Sequence, residues 1–414
     1  MITTWRDFHS RRARRWKDSF SNSFAGYAPS SRTSGGIARD QERFTPMTRT
    51  CAISVCMAAY NAGPFIGPAI ESLLAQTFRD FELVVLDDGS TDETPEIIRR
   101  YAGADPRIRA FRNDENRGFV FTRNRILQEC RAPLVAIADA DDIFLSTRLE
   151  KQWNYLQDHP EVGVLGSAVE LTDCDGRKTG ESRFYTQDRH IRFFLILGPC
   201  IWNTTSIYRR NLLVEADGYR TGFDGGAEDY DLWRRLRSKT RFANLDEVLV
   251  RVRVHGASCT AKGGEALQNI YRVASNLMAE YFHLPIQVAD GKALVLLLYH
   301  GATGPESTAT ALNLSVKLWR TGVRMETQDT IRLLRDKLSD ALWIQAQYTI
   351  YSARFLSLRM ALYALRLRPV LGIRTDFGGY CFRWATPDSL RCLIKRVSRL
   401  GQMQAEPGNG AKGG

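Results

Sequence analysis

No stretch of this 414-residue chain approaches the ~18–20 apolar residues needed to cross a bilayer. The longest apolar clusters, residues 293–299 and 193–197, are far shorter, which argues against a polytopic membrane protein. The eight cysteines are scattered. The closest pairs, Cys51 with Cys56 and Cys381 with Cys392, match no common zinc or redox spacing, so buried free thiols in a reducing cytoplasm are expected. Five of the six histidines, His9, His159, His190, His283 and His300, form no close cluster and receive no role. No apolar segment makes a secretory signal, and no recognition motif accompanies the positive charge, so nucleic acid is not an expected partner.

What is present is ordinary in amount and unusual in arrangement. Hydrophobic residues make up 44% and charged residues 25%, close to soluble averages. A chain this long holds two domains, or one with appendages, because single cores stop growing at roughly 250–300 residues. The net charge of +11 is uneven, with a net acidic middle (residues 51–259) between two basic flanks. A basic flank favours approach to any polyanion, anionic lipid or phosphorylated substrate alike. Residues 1–50 hold Arg11, Arg12, Arg14, Arg15 and Lys17 followed by a Ser-rich stretch. They read as a disordered basic leader; a transit peptide fits poorly beside Asp7 and Asp18, and Met47 is an alternative start. The Gly-rich residues 401–414 read as a disordered tail.

From Cys51 short apolar runs alternate with amphipathic stretches, the pattern of an α/β sheet. Strands are predicted at 52–57, 81–86, 107–111, 134–138 and 162–168, and helices at 65–76, 94–101, 122–130 and 147–157. Parallel strands joined by helices are the simplest arrangement. Thr94-Pro95 fits a helix start, threonine capping and proline needing no amide partner, and Ser90 and Glu93 have capping-box spacing. Beyond residue 260 the pattern turns helical. Tyr351, Phe355, Leu358, Leu362 and Leu365 fall at three- and four-residue spacing with Arg354, Arg359, Arg366 and Arg368 between them. This is either a helix packed on the catalytic domain or a membrane-surface helix.

Ligands of open α/β sheets bind beyond the carboxyl ends of the strands, and two acidic clusters are predicted there. Asp87-Asp88-Gly89-Ser90-Thr91-Asp92 follows the second strand, where glycine permits a sharp turn and a carboxylate can accept hydrogen bonds from a base or ribose. Asp139-Ala140-Asp141-Asp142 follows the fourth. Three crowded carboxylates call for a cation, and hard oxygen ligands suit Mg²⁺ or Mn²⁺; an acidic helix start stabilised by the dipole is the other reading.

The order of the motifs is more specific than any one of them. Ile53 to Asn61, Ser72-Leu73-Leu74-Ala75-Gln76-Thr77, the two acidic clusters with Asn116-Arg117-Gly118 and Arg123-Asn124 between them, Gly218-Tyr219, Glu228-Asp229-Tyr230-Asp231-Leu232-Trp233 and Arg253-Val254-His255 closely resemble the family 2 glycosyltransferases. The resemblance covers about residues 51–256. It implies a GT-A type nucleotide-binding α/β sandwich in a catalytic domain spanning 51–259, followed by a mainly helical region at 260–400. By the same resemblance Ala58 and Tyr60 line the base pocket, Asp88 holds uracil or ribose, and Arg123 approaches the nucleotide. Asp139 and Asp141 form the metal-binding Asp-x-Asp element, with Asp141 the firmer ligand. His255 is either a further ligand near the metal or a structural hydrogen-bonder. Adjacent carboxylates raise each other's proton affinity, and the family context favours Asp229 as the general base, with Glu228 supporting it or binding acceptor; the other reading is that both only cap the helix.

The function so implied is a metal-dependent, inverting, hexosyltransferase-like enzyme. It would move a sugar from a nucleotide-sugar donor, UDP-linked in many relatives, to a hydroxyl on a saccharide or lipid-linked saccharide in cell-surface polysaccharide or glycolipid synthesis. Its expected place is the cytoplasm, with peripheral contact at the inner membrane face through the basic C-terminal region. A polyprenyl-phosphate acceptor and an inactive nucleotide-sugar-binding protein are the alternatives. A sugar-phosphate nucleotidyltransferase is disfavoured because residues 57–63 lack the basic pair its phosphate loop needs. Trp202 either stacks on a sugar or fills the core.

Overall fold

The computed structural model describes residues 51–255, 264–300, 305–325, 327–349 and 359–364. The basic leader, the tail, Cys381 and Cys392 lie outside them, as does all of the predicted arginine-rich helix except residues 359–364, which are helical. The chain divides into two compact units, one ending at Leu277 and the other beginning at Met278.

In the first unit β1 (Ile53–Ala59) and β2 (Phe81–Asp87) are almost continuously apolar and almost wholly buried, as strands covered on both faces must be. They pair in parallel, and β3 (Ile108–Arg112) and β4 (Leu134–Asp139) extend the parallel set on either side. The connecting helices are α1 (Gly63–Leu74), α2 (Thr94–Ala104) and α3 (Phe119–Glu129). Register does the work that matters for function. Ala58 of β1 lies level with Leu86 of β2 and Asp139 of β4, and Ala59 lies level with Asp87. Three motifs far apart in sequence therefore reach one sheet edge together.

The second half departs from the expected all-parallel sheet. After the two-residue β5 (Ile143–Phe144) and α4 (Arg148–Asp158) come β6 (Val162–Thr172), β7 (Lys178–Ser182), α5 (Asp188–Phe194), β8 (Ile207–Arg209), α6 (Arg210–Glu215), α7 (Glu228–Leu236) and β9 (Arg241–Arg253). The nine-stranded sheet runs β3-β2-β1-β4-β8-β6-β9-β5, with β7 on β6. β8 is antiparallel to both β4 and β6. It enters the sheet after the short α5 and a 3-10 turn at Asn203–Thr205. β9, the longest strand, escaped the sequence pattern because its solvent side carries Asp246, Glu247 and Arg251 without strict alternation.

Two local expectations also change. Thr94 does not cap its own helix. It is the first residue of α2, and its Oγ1 accepts the amide of Ala62 at 2.8 Å. The Ser90–Glu93 capping box does not form either, because Glu93 is itself the N-cap in a helical conformation; Ser90 Oγ accepts from the Asn61 amide at 2.9 Å instead. With Asp92 Oδ2 taking the Gly63 amide at 3.0 Å, the acidic loop after β2 satisfies the free amides at the start of α1, groups that no intrahelical bond reaches.

The described residues of the second unit are mainly helical, with the end of α8 (Gly264–Phe282), α9 (Val288–Val295), a π-helical turn at Leu296–His300, α10 (Pro305–Met325) and α11 (Gln328–Thr349). Among the described residues no helix is long and apolar enough to cross a membrane.

Candidate active site

Asp88 is 3% exposed. Its Oδ1 accepts from Asn113 Nδ2 at 2.6 Å and from the Arg117 amide at 2.9 Å, so the carboxylate is fixed where β2 and β3 end. Tyr60 is exposed at the end of β1, and Ala58 is half-buried beside Asp139. The Gly89 turn, at φ +71°, has no room for a Cβ, which would fall 2.5 Å from the backbone carbon of Glu115. Here glycine is required both for its conformation and for the close approach of the β3–α3 loop.

Within Asp139-Ala140-Asp141-Asp142 the three carboxylates do three different things. Asp139 Oδ1 pairs with Arg123 Nη2 at 2.9 Å. Asp141 Oδ2 meets His255 Nε2 at 3.0 Å and remains partly exposed. Asp142 is buried, and its Oδ1 accepts the Arg253 amide at 2.9 Å, tying the loop to the end of β9 and so delivering His255. The crowding that seemed to demand a metal is thus relieved in part by the protein. Arg123 and His255 face the cluster, and the fully buried guanidinium of Arg148 lies within electrostatic reach of Asp139 and Asp142. Burial lowers Arg148 to about 9, the two aspartates opposing it. Burial raises Asp142 well above the ordinary carboxylate range, with the charges of Asp141 and Asp139 adding to it. Burial also raises Asp139, Arg123 opposing and Asp141 reinforcing.

Residues 72–77 hold this loop from behind. Gln76, wholly buried, donates to the Leu145 carbonyl at 2.8 Å and accepts the Leu149 amide at 3.0 Å, and Ser72 Oγ accepts the Phe144 amide at 3.1 Å. His255 packs on Phe65 with ring centroids 4.6 Å apart, and Arg253 lies over the same ring at 4.8 Å.

The second acidic pair opens α7. Glu228 is 3% exposed, whereas Asp229 is half-buried and can be reached from outside. Arg123 joins the two acidic motifs, donating to Glu228 Oε1 at 2.5 Å through Nη1 while Nη2 holds Asp139. Its guanidinium lies over Phe119 at 4.5 Å and Tyr219 at 5.8 Å. With its amide in the orientation that satisfies it, Asn203 turns its carbonyl oxygen to both terminal nitrogens of Arg123. Burial alone would weaken Arg123's hold on its proton; the carboxylates of Glu228 and Asp139 outweigh that and strengthen it. Burial and the charge of Asp229 push Glu228 up to about 8, and burial pushes Asp229 up to about 6, Arg123 opposing in both. The two titrate as a pair. α3 also pins the chain before α7, since Asn124 exchanges two hydrogen bonds with the backbone of Tyr219, at 2.7 and 2.8 Å.

The candidate catalytic, nucleotide and metal residues from the sequence thus fall into neighbouring groups in the first unit. Arg123, Asp139 and Glu228 are in direct contact, Asp141 with His255 forms a neighbouring pair, and Asp88 with Tyr60 lies at the ends of β2 and β1. Asn113, Asn203, Arg148 and the role of Asn124 left no signal in the sequence, because each acts on a partner from a distant segment. Trp202 packs partly buried against the core and donates from Nε1 to Ser182 Oγ at 3.1 Å.

The fit of a divalent cation rests on Asp141. Among the described residues no three Asp, Glu, His or Cys side chains converge on one point. Asp141 and His255 nonetheless present an oxygen and an imidazole nitrogen side by side, and the charge of Asp141 disfavours ionisation of both Asp139 and Asp142. A cation there would relieve all three. Cations of this type are commonly held by one or two carboxylates, the rest of the shell coming from phosphate oxygens and water, so the donor set fits.

Residues 54–215 match the model of glycosyl transferase family 2. An uncharacterized glycosyltransferase of Methanocaldococcus jannaschii is 31% identical over 49% of this chain and 70% of its own length. The chain belongs to glycosyl transferase family 2. The O-antigen biosynthesis glycosyltransferase WbnJ of Escherichia coli is 29% identical over 55% of this chain and 88% of its own. The solved structure of S. aureus TarS residues 1–349 with UDP-GlcNAc covers 76% of this chain and 88% of its own at 21% identity and a TM-score of 0.47, a superposition too loose to add to the sheet topology above. This family 2 glycosyltransferase has a GT-A type α/β core followed by a helical C-terminal region, and the family match spans the sheet edge where Asp88, Arg123 and Asp139 meet.

Proposed function

We propose that this glycosyltransferase is an inverting, divalent-cation-dependent enzyme that transfers a hexose-like sugar from a nucleotide-diphosphate donor, UDP-linked before GDP- or dTDP-linked, to an acceptor hydroxyl. The reading rests on one observation: Arg123 holds Asp139 of the Asp-x-Asp motif and Glu228 beside the candidate base at the same time, so donor and acceptor chemistry share one centre. Ala58, Tyr60 and Asp88 receive base and ribose, and Asp141 and His255, which lie side by side, would hold Mg²⁺ or Mn²⁺ with phosphate oxygens and water completing the shell, Asp139 being held by Arg123. When bound, that cation neutralises charge on the departing diphosphate.

Asp229 takes the acceptor proton. It is the accessible member of its pair, and an affinity raised to about 6 leaves it ionised at neutral pH while making it a stronger base than an ordinary carboxylate. As the proton moves to Asp229, the acceptor oxygen attacks the anomeric carbon and the bond to the diphosphate breaks. Direct displacement inverts the configuration. Buried Glu228 anchors Arg123. The name of the E. coli relative supports a place in cell-surface polysaccharide or glycolipid assembly at the cytoplasmic membrane face.

The experiment is a binding and hydrolysis screen with UDP-, GDP- and dTDP-sugars, with and without Mn²⁺. Asp141→Ala is expected to abolish metal-dependent donor binding. Asp229→Asn is expected to bind donor normally and to lose turnover by on the order of 10²–10⁴-fold. Retained turnover in Asp229→Asn would remove the base assignment, and a complete absence of nucleotide-sugar binding to the intact chain would leave a binding protein on this fold.

A further inference from the structure

Glu228 and Asp229 are preceded by a loop, Gly222-Phe223-Asp224-Gly225-Gly226, whose backbone is unusual. Gly222 and Gly226 have φ of +83° and +110°, and Ala227, the N-cap of α7, is left-handed at +71°. A left-handed non-glycine residue is sterically unfavourable and persists only where its surroundings enforce it. The enforcement comes from the first turns of α8, beyond the region matched by the family model.

Asn269, 7% exposed, donates from Nδ2 to the Gly226 carbonyl at 3.0 Å. Its Oδ1 accepts from Arg272 Nη2 at 3.0 Å, and the same nitrogen donates to the Gly222 carbonyl at 3.0 Å. The guanidinium of Arg272 also lies over the Phe223 ring at 4.6 Å. The two ends of the loop are therefore strung together by a chain running from Gly222 through Arg272 and Asn269 to Gly226. The glycines let the helix come close. A Cβ at Gly226 would lie 2.9 Å from Ala266 Cβ, and one at Gly225 would collide with the Glu265 carboxyl. On its other side the loop meets the N-cap of α3, the helix that carries Arg123; a Cβ at Gly118 would sit 3.2 Å from Asp224 Oδ1.

We propose that the start of α8 is a brace for the acceptor-activating carboxylates, with Asn269 and Arg272 as positioning residues that hold the loop so that Ala227 stays left-handed and Asp229 faces the site. The proposal rests on Asp229 acting as the base. It assigns a task in the transfer reaction to residues outside the family-matched segment. A misplacement of the order of 1 Å in a reacting group can cost as much as 100-fold in rate; these contacts of the loop run to α3 and α8 and not to the ends of β1, β2 and β4, so donor binding is expected to be kept.

The test uses the full chain and the variants Asn269→Ala, Arg272→Ala and the double variant. Arg272 is exposed, so its replacement leaves the core untouched. The probe is UDP-N-acetylglucosamine, or whichever of UDP-glucose and GDP-mannose the intact chain hydrolyses. The expected result is on the order of a tenfold fall in kcat, donor KM unchanged, and on the order of tenfold faster amide exchange at residues 227–230 with exchange in β1 and β4 unaltered. Native kcat or native exchange at 227–230 in the double variant overturns the brace, and so does a loss of kcat matched by an equal loss of donor affinity. Failure of the base assignment is read separately, as turnover retained by Asp229→Asn, while exchange at 227–230 reports on the brace independently of chemistry.

Discussion

At the scale of single residues, Arg123 and Asp229 carry opposite liabilities. Arg123 is the shared partner of buried Glu228 and partly exposed Asp139, and removing one partner of a buried pair leaves the other uncompensated. Arg123→Gln should destabilise the fold by about 3–5 kcal/mol, measured by urea unfolding at pH 7, and should abolish turnover in the fraction that folds. Asp229 works the other way. Its affinity for a proton is raised in the folded protein to about 6, so the folded state binds more protons than the unfolded chain between the ordinary carboxylate range and pH 6. The stability this gives is present at low pH and lost as pH rises through 6. Asp229→Asn should therefore melt at a higher temperature than the parent at pH 8, the difference vanishing near pH 4, while transfer by the parent should fall away as pH drops below about 6. A melting difference independent of pH would contradict the assignment.

At the scale of elements, the site is made by loops that cap one another. The loop after β2 satisfies the amides at the start of α1 through Ser90, Asp92 and Thr94, and Asn61 returns the favour by accepting the Thr91 amide at 2.9 Å. The Gly89 turn admits the β3–α3 loop with no spare space. Gly89→Ala combines a left-handed backbone with a backbone collision, so it should cost more than the roughly 1 kcal/mol of the conformational penalty alone and should weaken nucleotide binding by displacing Asp88. Isothermal titration with UDP, alongside thermal melts, separates the two effects. The positions of the strands and helices in the first half were legible because parallel strands buried on both faces read as apolar runs, whereas their order in the sheet was not read from the sequence. β7, β8 and β9 were not legible, since short or edge strands with charged residues look like loops, and the antiparallel pairing of β8 with β4 and β6 joins segments far apart in the chain.

At the scale of the molecule, the charge of +11 is concentrated in the two flanks around an acidic catalytic segment. That distribution favours approach to an anionic surface. The intact chain is expected to sediment with phosphatidylglycerol vesicles at low salt and to be released as salt screens the interaction. Charge reversal at Arg354, Arg359 and Arg366 should abolish sedimentation, and its persistence in that variant would assign the contact elsewhere.

The sequence by itself determined the family, the parallel half of the sheet and which acidic residues to consider for the candidate site. These follow from local pattern, namely apolar runs ending in Asp87-Asp88 and Asp139-Ala140-Asp141-Asp142 and a helix opening with Glu228-Asp229. Only the tertiary structure decided what each carboxylate does. Asp139, Asp141 and Asp142 look equivalent in sequence, yet one pairs with Arg123, one faces His255 and one is buried on the amide of Arg253. Nor could the sequence tell the buried Glu228 from the accessible Asp229, or link Asn269 and Arg272 to Gly226 and Gly222. Burial and counter-charge depend on segments up to a hundred residues or more away, and those distances are set by sheet register and helix packing rather than by spacing along the chain.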